Sequence, residues 1–170
     1  MGHQLADLGC NMDLFFTRHE IAERGRGLSF DDVLLVPRHS EIASRRQPQL
    51  NSLVTKNFLL GIPVVAANMD SITEHAMACV LAELGGLGIL HRFMTAGEQI
   101  RQIRIIREFT AQNKLNIPVA ASVGVKSEGR ERADLLAGEG INILTIDIAH
   151  GDSIMMLETL SYVRKKYPHL

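Results

Sequence analysis

The chain has 170 residues, of which 46% are hydrophobic and 22% charged, a composition typical of one globular domain with its own core. The formal net charge is −1, which gives no electrostatic reason to expect binding to nucleic acid or to an anionic membrane surface. The two cysteines, Cys10 and Cys79, have neither metal-site spacing nor the pattern of a secreted disulfide framework, so we expect a reducing, cytoplasmic compartment.

The first part of the chain has little regular pattern. Residues 1–26 are predicted to form an N-terminal arm, and residues 27–170 a single domain. In that domain LSFDDVLLVP, which starts at Leu28, indicates a short strand that Pro37 ends. The segment 43–62 then indicates a loop or a small hairpin.

Four short apolar runs follow, and each is continuous rather than alternating in polarity. Such runs are typical of parallel strands that are buried on both faces. They are IPVVAAN, GLGILH, IPVAASV and NILTIDIA, which begin at Ile62, Gly86, Ile117 and Asn142. The segments between them have helical periodicity, as in the row Ile100, Ile103 and Ile106, so the pattern predicts an α/β fold with βα repeated four times.

Short motifs predict where two of these helices begin. Ser71-x-x-Glu74 and Thr95-x-x-Glu98 both have the form of a capping box, in which the first side chain accepts a hydrogen bond from a backbone N–H of the first turn. We therefore expect one helix to begin just after Ser71 and another just after Thr95.

Two architectures suit this order of elements. One is a doubly wound open sheet, which usually has about five or six strands. The other is a TIM (β/α)8 barrel; it needs about 250 residues in full, so this chain would hold about its first four βα units. Half a barrel leaves two strand edges without partners. We therefore expect the chain to pair with a second copy or to be a truncated, N-terminal part of a longer protein.

Polar residues end each of the four predicted strands. Their positions are Asn68-Met69-Asp70, His91-Arg92, Ser122 to Lys126, and Asp147 to Ser153. The carboxyl ends of parallel strands lie on one edge of a sheet, where both architectures bind their ligands. We therefore predict a binding site at this edge.

Several of these residues also have a purely structural interpretation. Asp70 and Asp152 suit helix caps as well as a site. Asp147 has apolar neighbours on both sides and therefore needs a partner, and we favour a functional role over a structural hydrogen bond. Met69 suits a core position as well as a site, and Arg92 suits a solvent-exposed position as well as a contact to a phosphate or carboxylate.

The sequence gives no sign of a nucleophile or a metal site. Cys79 lies in HAMACVLAEL, which indicates a buried helix, so we expect it to be a small core residue. Cys10 lies in the predicted arm with no histidine partner nearby in the sequence. The chain also has no glycine-rich dinucleotide fingerprint, no P-loop and no zinc-ligand spacing.

Four motifs taken together resemble a known family. They are LSFDDVLLVPRHSEIASR, IPVVAANMDSITE, GGLGILHRFMT and LTIDIAHGDS, which extend from about Leu28 to the end of the sequence. In this order they resemble the IMP dehydrogenase and GMP reductase family. The resemblance implies a TIM (β/α)8 barrel, usually a homotetramer, that binds a purine nucleotide and a nicotinamide cofactor at the carboxyl ends of its strands.

The resemblance is divided between the two enzymes. Asn68 in ANMD, and the short connection from HRFMTAGEQIRQIRIIREF to IPVAASVGV without inserted CBS modules, resemble GMP reductase. This implies NADPH-dependent reductive deamination of GMP to IMP and ammonia. LSFDDVLLVP and the pair Thr73-Glu74 are more similar to IMP dehydrogenase, which oxidises IMP to XMP with NAD. A half barrel that binds a nucleotide without catalysis is a third alternative.

The resemblance also implies roles for individual residues. Asn68 and Met69 match positions that contact the purine nucleotide. The positions that match cofactor contacts are Ser44, Arg45, Arg92, Asp147, Ile148 and Ala149. In the family a cysteine thiolate attacks C2 of the purine and a monovalent cation, K+, is bound, but the segments that carry both are expected beyond Leu170. No catalytic residue and no metal ligand are therefore expected in this chain, which alone is expected to be inactive.

Overall fold

The computed structural model describes residues 33–170, together with residues 19, 29 and 31. The chain divides into two compact units, Met1–Gln47 and Pro48–Leu170. The predicted arm, residues 1–26, lies outside the described residues except for residue 19. The predicted boundary after residue 26 therefore stays a prediction.

Residues 33–47 of the first unit contain no helix and no strand. The strand predicted from Leu28 to Pro37 is wrong for residues 33–37, because a strand needs a partner and these residues have none among those described. Leu34 and Leu35 are almost fully exposed there. Further along, the Gln47 side chain accepts a hydrogen bond from the backbone N–H of Ala43 and closes a turn.

The second unit begins with a hairpin and continues as a parallel sheet. Strands β1 (Ser52–Leu53) and β2 (Leu59–Leu60) pair antiparallel, which confirms the hairpin alternative for this segment. The strands of the parallel sheet are β3 (Val65–Ala66), β4 (Leu87–Leu90), β5 (Ala120–Val123) and β6 (Ile143–Ile146). The helices that follow them in turn are α1 (His75–Leu84), α2 (Ala96–Gln112), α3 (Ser127–Gly138) and α4 (Ile154–Lys166).

The strand order of the sheet is β3-β4-β5-β6, the same as the order in sequence. A doubly wound sheet reverses its strand order at a switch point, and this sheet does not. The predicted α/β fold with a parallel sheet is therefore confirmed, and its winding is consistent with part of a TIM barrel. Within the described residues β3 and β6 are the edges of an open sheet, so a closed barrel stays a prediction.

The central strands β4 and β5 are buried on both faces against apolar side chains, as their continuous apolar runs predict, whereas Val65 of β3 is 43% exposed. On one face Leu90, Ala121 and Val123 pack with helix residues such as Ile103 and Leu136. On the other face Leu87 and Ala120 pack with Leu60 of the hairpin. These two strands are therefore held from both sides, and their carboxyl ends are fixed relative to one another. None of the described helices is both long and apolar enough to span a bilayer.

Only one of the two predicted N-caps forms. Thr95 is the N-cap of α2, and its hydroxyl accepts a hydrogen bond from the backbone N–H of Glu98 at 3.1 Å, which confirms that prediction. The prediction at Ser71 is wrong, because α1 begins at His75 and its N-cap is Glu74.

A turn occupies the residues where α1 was predicted to begin. The carbonyl of Met69 accepts hydrogen bonds from the backbone N–H groups of Ile72 and Thr73, both at 3.0 Å. The hydroxyl of Thr73, which is fully buried, donates to the carbonyl of Ala67. These bonds hold residues 67–73 as a turn that the capping motif could not reveal.

Thr95→Ala should lower the free energy of unfolding by about 1 kcal/mol, because the mutation removes the cap from α2. Ser71→Ala should leave it nearly unchanged, since Ser71 caps no helix. Urea denaturation of both variants measures the difference. Equal losses in the two variants would contradict this assignment of the helix starts.

Asp134 joins α3 to α4 through a cluster of donors. Its carboxylate accepts hydrogen bonds from the hydroxyls of Tyr162 and Tyr167 and from the ammonium of Lys166, the last at 2.7 Å. Burial by itself would raise the pKa of Asp134, but the hydrogen bonds from Lys166, Tyr162 and Tyr167 outweigh it and lower that pKa below its usual value. The cluster therefore stabilises the fold through the charged form of Asp134.

Asp134→Asn should weaken the dependence of stability on pH in acid. A lowered carboxyl pKa contributes stability that is present well above pH 3.8, the usual value, and is lost as the pH falls through the pKa of the folded state. Urea unfolding between about pH 3 and pH 7 measures this contribution. The wild type should lose more stability on acidification than the variant, and parallel profiles would contradict the role of Asp134.

Candidate functional site

A cavity of about 370 Å³ lies at the carboxyl ends of β4, β5 and β6, within the size range of small-molecule sites. Four of the predicted site residues line it: Arg92, Asp147, Ile148 and Ala149. The rest of the lining is Gly124, Val125, Lys126, Glu128, Gly129 and Arg132, from the end of β5 and the start of α3. The structure therefore brings together residues that are far apart in sequence at the edge of the sheet predicted to bind a ligand.

Arg92 and Asp147 form an ion pair in the lining of this cavity. Arg92 follows β4 and Asp147 follows β6, and Nε of Arg92 donates to Oδ2 of Asp147 at 2.8 Å. The backbone N–H of Asp147 donates to the carbonyl of Val123 at 2.8 Å, which extends the pairing of β5 and β6 by one residue. The guanidinium also lies 4.6 Å from the ring centre of Phe93. The carboxylate of Asp147 therefore has the partner that it needs between apolar neighbours.

The arginine of this pair retains hydrogen-bonding capacity. Within residues 33–170 the two terminal nitrogens of Arg92 make no hydrogen bond, and both side chains of the pair are about one-third exposed. Arginine donors in this arrangement are suited to phosphate or carboxylate oxygens. The terminal nitrogens of Arg92 can thus bind a ligand while Asp147 holds the Arg92 side chain in place.

The charges around the cavity favour an anionic ligand. Three cations, Arg92, Lys126 and Arg132, line it against two carboxylates, Glu128 and Asp147, which leaves one net positive charge. The N-terminal end of α3 also lies here, with Lys126 as its N-cap and no side-chain cap. Burial and the nearby charge of Arg92 lower the pKa of Arg132 from its usual value. Cations beside a helix N-terminus attract phosphate groups.

Gly129 allows the loop after β5 to pack directly on α3. A Cβ at this position would overlap the carbonyl oxygen of Gly124 and lie 2.5 Å from its carbonyl carbon. Both backbones line the cavity, so the absence of a side chain at Gly129 determines the shape of this wall.

The two predicted nucleotide contacts lie at the same edge of the sheet, after β3, but do not line this cavity. Asn68 is half-buried, whereas Met69 is 51% exposed. Among the residues that the structure describes, Met69 therefore does not lie in a core. Ser44 and Arg45 are exposed in the turn of the first unit. Contact of any of these four residues with a ligand stays a prediction.

Sequence analysis missed Gln99 and Arg132, two polar residues that lie on helices beside the cavity. Gln99 is fully buried and Arg132 is half-buried. The available signal was periodicity, because Gln99 lies four and seven residues before the buried Ile103 and Ile106 and so shares their face of α2. A polar residue in an apolar stripe has to find partners.

Cys79 does not belong to the site. It is a half-buried, free cysteine in α1 that packs against the main core. Burial and, second, the charge of Glu83 raise the pKa of its thiol, so the thiolate is disfavoured. Cys10 lies outside the described residues. Among the described residues no group of three or more histidine, cysteine or acidic side chains could hold a metal ion.

Comparison with known proteins identifies the family. The sequence model of the IMP dehydrogenase / GMP reductase domain matches residues 27–170. This chain belongs to the IMP dehydrogenase / GMP reductase family. The resemblance of its motifs is thereby confirmed, and membership of a family of purine-nucleotide oxidoreductases follows.

Some relatives of this chain are named IMP dehydrogenase and others GMP reductase. The chain is 31% identical over 179 residues to inosine-5'-monophosphate dehydrogenase of Cryptosporidium parvum, and the alignment covers 84% of this chain and 44% of that protein. It is 51% identical over 77 residues to the enzyme of the same name from Nitrosopumilus maritimus, which covers 45% of this chain and 16% of that protein. It is 42% identical over 81 residues to GMP reductase of Leishmania donovani, which covers 48% and 16%. The chain therefore spans less than half the length of these relatives.

Proposed function

We propose that the cavity at the ends of β4, β5 and β6 binds a nicotinamide cofactor, and that the chain contributes it to an enzyme that transfers hydride to or from a purine nucleotide. The observation that carries the proposal is the Arg92–Asp147 pair at 2.8 Å in a cavity lined by cations. Family membership supplies the class of reaction.

The residues of the cavity fit the polar groups of such a cofactor. The terminal donors of Arg92, which make no hydrogen bond within residues 33–170, suit phosphate oxygens, as do the ammonium of Lys126 and the N-terminal end of α3. The carboxylate of Asp147 has an oxygen left to accept from a ribose hydroxyl. The cofactor, when bound, supplies the hydride chemistry, and the protein supplies binding and orientation.

The purine nucleotide is proposed to bind beside Asn68 and Met69. The exposed thioether of Met69 offers an apolar, polarisable surface for a purine ring, and the amide of Asn68 can hydrogen-bond to the edge of the base. Cys79 is not proposed as the thiolate that the resemblance implies, because it packs against the main core from α1, does not line the cavity, and has a thiol pKa that burial raises. A potassium ion and a tetrameric assembly belong to the same proposal.

Two directions of the reaction are candidates. Reduction of GMP to IMP and ammonia by NADPH is favoured by Asn68 in the ANMD motif and by the net positive charge of the cavity, which suits the extra phosphate of NADPH. Oxidation of IMP by NAD is the second candidate, since a protein named inosine-5'-monophosphate dehydrogenase matches 84% of this chain.

Cofactor binding and turnover test the proposal separately. Calorimetric titration of the chain with NADPH and with NAD should show binding, with NADPH the tighter. The enzyme that contains this chain is then incubated with GMP plus NADPH and, separately, with IMP plus NAD, while the absorbance of the reduced cofactor is followed. Consumption in the first mixture supports the reductase, and production in the second supports the dehydrogenase. Binding without turnover in either mixture would support a non-catalytic module, and no binding would reject the site.

A further inference from the structure

The amide of Gln99 joins the ends of two neighbouring strands. It lies in the first turn of α2 and is 0% exposed. Its Nε2 donates to the carbonyl of His91, after β4, at 3.0 Å and to the carbonyl of Ser122, in β5, at 2.9 Å. Because it is fully enclosed and does not line the cavity, Gln99 cannot touch a ligand there.

Arg132 holds the next part of the same segment from α3. One of its terminal nitrogens, Nη1, donates to the carbonyls of Arg92 at 3.1 Å and of Met94 at 2.8 Å. The same nitrogen lies 3.2 Å from Oε1 of Gln99. The amide of Gln99 therefore also directs the guanidinium of Arg132.

Three consecutive carbonyls at the end of β4 consequently accept hydrogen bonds from side chains. The hydroxyl of Ser122 donates to Leu90 at 2.9 Å, Gln99 donates to His91, and Arg132 donates to Arg92. The backbone is held on both sides of the Cα of Arg92, at the point where its side chain must reach across to Asp147.

We propose that Gln99 is a positioning residue for the cofactor site, which orients Arg92 toward Asp147 and leaves the terminal donors of Arg92 for the ligand. The inference rests on the proposed function of the cavity. Without the amide, the buried carbonyls of His91 and Ser122 would lack their donor, and the backbone would have to move to satisfy them. Arg92 would then lose its fixed geometry even though it is not itself changed.

Gln102 provides a matched control one turn further along α2. It is also almost fully buried, but its amide bonds to the carboxylates of Glu74 and Glu98 and to the backbone N–H of His75. Gln102→Leu thus removes an equally buried amide that holds neither β5 nor Arg132. The variants to compare are Gln99→Leu, Gln99→Met, whose unbranched side chain is closer in shape to that of glutamine, and Gln102→Leu.

Two measurements separate positioning from stability. The first is the NMR signal of the Nε–H of Arg92, which is assigned by its absence in Arg92→Lys. Slow exchange of this proton with water reports the hydrogen bond from Arg92 to Asp147. The second is the dissociation constant of NADPH from calorimetry. Gln99→Leu and Gln99→Met should abolish the slow exchange and raise the dissociation constant about tenfold, the loss of one charge-assisted hydrogen bond. Gln102→Leu should change neither, although it should lower the urea midpoint.

The outcomes distinguish this inference from the proposed function. Slow exchange of the Arg92 signal that survives in a folded Gln99 variant would overturn the positioning role. The same loss in Gln102→Leu would overturn it too, since the effect would then be general packing. If the wild type binds no NADPH but its Arg92 signal responds only to Gln99, the proposed cofactor site fails and the positioning of Arg92 stands.

Discussion

Gly129→Ala should destabilise the protein by about 1–3 kcal/mol and distort the cavity, because the new methyl group has no space. The Cβ would overlap the carbonyl oxygen of Gly124 and lie 2.5 Å from its carbonyl carbon. Those atoms belong to the backbone, so no side-chain rotation can relieve the overlap. The loop after β5 would have to move away from the first turn of α3, and both segments line the cavity.

Gly138→Ala is the matched control, because it lies at the last position of the same helix and its added Cβ would meet no atom within 4 Å. This variant should keep or slightly raise stability, since alanine favours the helix over glycine by up to about 1 kcal/mol. Urea unfolding of both variants, with calorimetric titration of NADPH, gives the comparison. Equal stability of the two would show that the loop tolerates a side chain at Gly129 and would reject the close approach.

Asp147→Ala should weaken cofactor binding about tenfold to a hundredfold while the protein stays folded. The change frees Nε of Arg92 from its 2.8 Å bond and removes the carboxylate proposed to accept from a ribose hydroxyl. Hydrogen bonds to charged groups contribute about 1.5–3 kcal/mol, which corresponds to this range of affinity. The effect on stability should be small, because the pair is partly exposed to water.

Glu139→Ala is the control for the loss of an ion pair as such. Glu139 accepts two hydrogen bonds from Arg104, at 2.9 and 2.6 Å, and does not line the cavity. Its loss should leave the dissociation constants of NADPH and NAD unchanged. If Asp147→Ala binds the cofactor as tightly as the wild type, Asp147 does not belong to the site.

The helix starts show how far a local motif determines structure. Thr95 and Ser71 both begin a capping motif, and only Thr95 caps a helix. The difference comes from Thr73, whose buried hydroxyl donates to the carbonyl of Ala67 and holds the chain in a turn before α1. That bond depends on the path of the chain after β3, which no motif of four residues contains.

Only part of the candidate site could be predicted from the sequence, because some of its contacts also depend on the path of the chain. Arg92, Asp147, Ile148 and Ala149 could be predicted because each follows an apolar run, and parallel strands place their carboxyl ends on one edge. Periodicity could show that Gln99 is buried, but the hydrogen-bond partners of Gln99 and Arg132 could not be predicted, because those partners are backbone carbonyls of other elements. Backbone acceptors are the same at every position, so the sequence does not show which of them a buried side chain will reach.

The sequence by itself determined the α/β class, the four βα units and the edge of the sheet that bears the candidate site, because these follow from the lengths and polarity of local runs. Only the tertiary structure decided that Arg92 pairs with Asp147, and that Gln99 and Arg132 hold the backbone around Arg92. These bonds join residues on different elements, up to 55 positions apart in the chain. They depend on the packing of the helices against the sheet, which hydrophobic burial stabilises and which brings the strand ends together.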